Sequence, residues 1–165
     1  MTFWGELLNK YKLNALSDVL INLEFLADAE AGISEFYRLC AGAMAKHADL
    51  WNSLADEEAV HSQIVRKMNS LITKEPKLYS PGMSFSTVNI RLFAVEMQGL
   101  QERLSSGKLS PDKIFATALE IEDSIVELCY GKMVETKDKN YSLLAHRLDS
   151  DSAEHKKAIS SRMNG

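Results

Sequence analysis

Apolar residues return along this chain every three to four positions, and no stretch alternates apolar and polar over the length of a strand. That period marks amphipathic helices. From about 16 to 45 the stripe is Leu23, Leu26, Ile33, Phe36, Tyr37, Cys40 and Met44, with Ser17-Asp18 as N-cap. Lys46-His47-Ala48-Asp49 interrupts it, and a second helix from about 49 to 73 turns Leu50, Leu54, Val65, Met68 and Leu71 or Ile72 inward. Lys74 to Phe85 holds two of the three prolines and Gly82, which predicts a loop. Ile90, Phe93, Met97, Leu100 and Leu104 predict a helix over 86–105. Ser110 before Pro111 is a good helix start, and 111–137 carries Ile114, Phe115, Ala118, Ile121, Ile125, Leu128 and Cys129. After Lys137-Asp-Lys-Asn140 a last helix, about 141–162, holds Leu144, Leu148 and Ile159. Residues 1–14, with Phe3, Trp4 and Tyr11, read as a lead-in helix or a packing arm. Short breaks imply antiparallel neighbours. The expected architecture is all-α: one domain over 1–165, an antiparallel four-helix bundle whose long crossover, 74–110, carries the extra helix.

Composition narrows the function classes. Apolar residues make up 45% and charged residues 25%, and the net charge is -4, so there is no basic footprint for nucleic acid. No apolar run of about 18 residues suits a membrane span. The opening Met1-Thr-Phe-Trp-Gly-Glu lacks the basic start and apolar core of a signal peptide, which leads us to expect a cytoplasmic protein. Cys40 and Cys129 form no CxxC pair and read as buried thiols in a reducing compartment. No nucleophile elbow or Gly-rich phosphate loop is present, and no catalytic residue can be named.

The candidate chemistry lies in ionisable residues that fall on the apolar stripes. Glu58-x-x-His61 puts a carboxylate and an imidazole on one helical face. Glu30, Glu122 and His155 also lie on inward stripes. Such groups are seldom buried unless paired or metal-bound. Two readings follow: a buried Glu/His hydrogen-bond and ion-pair network, or a metal site, for which carboxylate and imidazole suit iron, manganese or zinc. The chain also echoes itself. Glu30 stands 31 residues before His61, and Glu122 stands 33 before His155. In two helical hairpins that spacing sets each Glu and its His at about one depth, so hairpins packed face to face would gather all five. Tyr37, one helical repeat beyond Glu30, is placed to hydrogen-bond a ligating carboxylate or simply to pack. Glu96 is a further candidate ligand. Asp56, Glu57 and Glu154 read as solvated, and His47 and His146 as surface residues.

The chain resembles the rubrerythrin branch of the ferritin-like superfamily over roughly residues 18–162. The resemblance is carried by Ala29-Glu-Ala-Gly-Ile-Ser-Glu-Phe-Tyr37, by Leu50-Trp51-x-x-Leu54-Ala-x-Glu57-Glu58-x-x-His61, by Ala118-Leu-Glu-Ile-Glu122-Asp-Ser-Ile-Val-Glu127 and by His155. It implies a ferritin-like bundle with a dinuclear iron or manganese centre that reacts with peroxide or oxygen, and the departure at Ser152 makes a mononuclear or mixed-affinity site the expectation here. It implies Glu58 and His61 as ligands of one metal, Glu30 and Glu122 as bridges, and His155 for the second. The sequence departs from that pattern. Ser152 stands where the second Glu-x-x-His expects Glu, with Asp151 one step round the helix, and Glu122 stands eight residues before Tyr130 rather than seven. The four cysteines of a rubredoxin module have no counterpart, so an external electron donor is expected. The alternative is a metal-free ferritin-like bundle acting as a structural or protein-interaction module. In either case a homo-oligomer is expected, a dimer through the N-terminal arm or the 86–105 helix.

Overall fold

The computed structural model describes residues 3–124 and 130–163, with side chains from residue 14 onward. The described chain is mostly helical: α1 (Phe3–Ala43), α2 (Ala48–Lys74), α3 (Thr87–Ser105), α4 (Pro111–Glu122) and α5 (Lys139–Met163). A small antiparallel sheet joins β1 (Tyr79–Pro81) to β2 (Val134–Thr136), with Ser80 opposite Glu135. None of these helices is long and apolar enough to cross a membrane.

Three places differ from the sequence reading, the simplest being β1, which forms inside the expected loop Lys74 to Phe85. α1 starts at Phe3, so residues 3–14 continue the helix and Ser17-Asp18 caps nothing. No proline interrupts this stretch, and Leu16 and Val19 are buried, which extends the stripe toward the N-terminus. The third correction concerns the helix expected over 111–137. α4 stops at Glu122; the chain is next described as a 3-10 turn at Tyr130–Lys132 and then as β2. Ile125, Leu128 and Cys129 lie outside the described residues. Tertiary pairing explains the strand. The amides of Gly82 and Met83 donate to the carbonyls of Met133 and Lys132, at 2.9 and 2.7 Å. A Cβ on Gly82 would collide with the Lys132 carbonyl, so only glycine permits this approach.

α1 and α2 form an antiparallel hairpin. Three rungs run along it: Ser34 Oγ to the Ala55 carbonyl, Ser62 Oγ to the Ala27 carbonyl, both 2.7 Å, and Asn69 Nδ2 to the Leu20 carbonyl at 3.0 Å. α5 runs antiparallel to α2, with Arg162 on Asp49 at one end and Asp151 near His61 further along. α3 lies on α1, tied by Gln101 Nε2 to the Gly32 carbonyl at 2.9 Å.

The core has two apolar halves. One contains Leu23, Leu26, Val65, Met68, Tyr130 and Leu148; the other contains Ile33, Phe36, Trp51, Leu54, Ile121 and Ile159. On α1 the change from one to the other falls between Ala29 and Ile33, on α2 between Ile64 and Ala55, and on α5 between Leu148 and Ile159. Glu30, Glu58, His61, Ser152 and His155 occupy those gaps, and Glu122 ends α4 beside them. A buried polar layer therefore crosses the molecule at mid-height.

Candidate metal centre

Each member of this layer is placed by its helix. Glu58 and His61 share a face of α2 at i and i+3, so both side chains point inward where Leu54 and Val65 do. His155 enters from α5, Glu122 from the last position of α4 and Glu30 from α1. All five are at most 2% exposed.

Glu58 is the centre of the arrangement. Its Oε2 lies 2.9 Å from His61 Nδ1, and its Oε1 lies 2.8 Å from His155 Nδ1. The two rings stack, with centroids 5.3 Å apart and planes at 21°. Each imidazole turns its other nitrogen toward an acid at the rim: His61 Nε2 to Asp151 Oδ2 at 3.2 Å, and His155 Nε2 to Glu57 Oε2 at 3.1 Å. Asp151 is in turn held by Arg147 at 3.2 Å. Glu122 closes the set, with Oε1 3.5 Å from His155 Nδ1 and Oε2 accepting from Ser152 Oγ at 3.3 Å.

Two tyrosines cap the outer carboxylates. Tyr37 donates to Glu122 Oε1 at 2.7 Å, and Tyr130 donates to Glu30 Oε1. The tyrosine of each half of the chain thus serves the glutamate of the other half.

The charges are mutually dependent. Burial raises the Glu58 carboxyl, but the close approach of the His155 and His61 imidazoles outweighs it and holds it down at about 2. Burial lowers His155, but Glu122 and Glu58 outweigh that and lift it to about 11. His61 is raised in the same way, against burial, by Glu58 first and then Asp151. The chain alone therefore favours a charged Glu58 carboxylate beside a protonated His155, with His61 shifted toward its protonated form.

The donor set also fits a metal ion. One ligand atom each from Glu58, His61 and His155 lie within 4.8 Å of one another. Moreover, Glu58 Oε1 and His155 Nδ1, though only 2.8 Å apart, are off the axes of a hydrogen bond. A cation that displaces the imidazole protons would find these donor atoms already converging on one point.

Of the five residues expected from the sequence, three form this cluster, Glu122 joins it through His155, and Glu30 lies buried under Tyr130. Glu96 does not join them; it is exposed in a groove between α3 and α4. His146, Asp56 and Glu154 are exposed as expected, whereas His47 is half-buried with its ring edge-on to Phe115 at 5.2 Å. Sequence reasoning missed the roles of Glu57 and Asp151. Glu57, 49% exposed, still reaches His155. The available signal for Asp151 was its place four residues before His155, on the same helical face.

Fold and site together define an all-α protein with a buried Glu/His/His cluster across its middle. No protein-family model, curated protein or solved structure matches the chain.

Proposed function

We propose that this chain is a ferritin-like bundle of the rubrerythrin-like kind that binds one iron or manganese ion firmly through Glu58, His61 and His155. In this reading α1, α2, α4 and α5 are the four helices of the bundle and α3 belongs to the crossover. The observation that carries it is the pair of imidazoles turned by Nδ1 onto one carboxylate while Asp151 and Glu57 hold each Nε2. Acids on the outer nitrogens fix ring orientation and raise ligand basicity, as they do around metal-bound histidines generally. Two imidazoles and a carboxylate form a donor set suited to iron, manganese or zinc. Glu30 and Glu122 are the carboxylates on offer to a second ion, and Ser152 leaves that position one ligand short.

When bound, iron or manganese supplies the redox chemistry. The chain's residues set the conditions for it. Tyr37 and Tyr130 hold the outer carboxylates, and the two apolar halves keep water from either side of the layer. The resemblance points to peroxide or oxygen as substrate. An external electron donor belongs to this reading, because this chain's two cysteines cannot make a four-cysteine iron site.

The test is anaerobic loading of chelator-treated protein with Fe(II), Mn(II) or Zn(II), with metal per chain measured after desalting. About one tightly held ion per chain is expected, and its loss in His61→Ala. Binding that is unchanged in His61→Ala overturns the assignment.

A second reading has its own support. Within the chain every imidazole nitrogen of the cluster already faces an acid, and Glu30 and Glu122 each accept from a tyrosine. A bundle so compensated can stand without metal as a structural or interaction module. Failure of all three ions to bind wild-type protein selects it.

A further inference from the structure

α3 has two apolar faces. One, with Ile90, Met97 and Leu104, is buried. The opposite one carries Val88, Leu92 and Val95, which are 64%, 55% and 63% exposed. With Gly99 they follow one another at steps of four, three and four, the spacing of a coiled-coil seam. Exposed helix faces are ordinarily polar, and a contiguous apolar stripe marks a contact surface. Gly99 is a second observation. A glycine inside a helix costs stability relative to alanine, and a Cβ at 99 would meet no atom within 4 Å, so the fold of the chain does not require it. On the seam, the missing side chain lets another backbone come close.

The flanking charges say what covers the seam. With Val88 and Val95 at d and Leu92 and Gly99 at a, Arg91 falls at g and Glu96 at e. In a parallel pair of identical helices, g of one faces the e that follows five residues later on the other. Arg91 of each copy then faces Glu96 of its partner, twice by symmetry. Antiparallel pairing sets g against g and e against e, and makes neither ion pair. Among the described residues, neither Arg91 nor Glu96 has an ion pair within the chain. Arg91 instead lies over the Phe25 ring, 5.2 Å from its centroid, on the flank of the seam.

We propose that α3 packs in parallel against α3 of a second copy of this chain, along Val88, Leu92, Val95 and Gly99, with reciprocal Arg91–Glu96 pairs. The seam is short, roughly 18 Å, and Glu102 ends it. A free peptide of that length would not hold a helix, but α3 is already folded on α1, so that ordering cost does not recur.

Mass in solution, by light scattering across micromolar to submillimolar concentrations, tests this. Wild-type protein should run at twice the 18.5 kDa chain, and Leu92→Glu at the single mass with unchanged circular dichroism. Arg91→Glu and Glu96→Arg should each be monomeric. An equimolar mixture of those two should regain the double mass, because opposite charges then face across the seam. A monomeric wild type, or a dimer that survives Leu92→Glu, overturns the surface. Single variants that stay dimeric, or a mixture that stays monomeric, overturn the parallel register.

Discussion

Tyr37 on α1 donates its hydroxyl to Glu122 Oε1 at the end of α4, 2.7 Å away and 85 residues on. The bond is buried, so the carboxylate has little access to water as a substitute donor. Removing a hydroxyl that serves a buried charge costs about 1–3 kcal/mol. Tyr37→Phe should lower the stability of the metal-free protein by that amount in urea unfolding, with the slope unchanged. A midpoint equal to wild type would mean that Glu122 finds another donor.

Stability of the metal-free protein should depend on pH through Glu58 and His155. Glu58 is held below its ordinary 4.5, at about 2, so its contribution is complete above 4.5 and is lost as pH falls through 2. His155 is lifted above its ordinary 6.5, to about 11, so its contribution is complete below 6.5 and is lost as pH rises through 11. Both are complete between about 4.5 and 6.5. The stability difference between wild type and His155→Gln should be largest in that window and shrink steadily above it. A difference that stays constant from pH 6 to pH 10 would refute the coupling.

Ser152→Glu should have effects of opposite sign with and without metal. Ser152 is buried and donates to Glu122, so a glutamate there sets two carboxylates together and destabilises the chelator-treated protein. The same group supplies the ligand missing from the second position, and metal per chain should rise. Destabilisation with no gain in metal would remove Glu122 from the proposed metal centre.

Asp151→Asn keeps the shape at His61 Nε2 but removes the charge. If His61 is a ligand, metal affinity should fall by about 10–100-fold, the usual effect of losing such an outer partner. Competition with a chelator of known affinity gives the number, and an unchanged affinity would separate His61 from the metal. Glu57→Gln makes the same test of His155.

The sequence showed α3 almost to the residue because its ends are local. Ser86 accepts from the Asn89 amide, and the apolar stripe runs between the caps. It missed β2 because the cause is remote: β2 pairs with β1, 53 to 57 residues earlier, and Gly82 makes room for it. Tyr130 belongs to a 3-10 turn rather than to α4, and its hydroxyl reaches Glu30 across the core. Glu58, His61 and His155 were legible because charge on an apolar stripe demands a partner. Asp151 and Glu57 were not, because ring orientation and the approach of α5 to α2 decide which rim acids reach the imidazoles.

The polar layer has a consequence for how the molecule comes apart. It separates two hydrophobic clusters, with the partly buried Phe93 touching both. Cohesion within each cluster is apolar and largely indifferent to protons, whereas cohesion between them rests on charges that must stay matched. The two clusters should therefore open as separate units of cooperativity. The protein's amides should exchange with solvent in two families, divided at Glu30 on α1 and between Glu58 and His61 on α2.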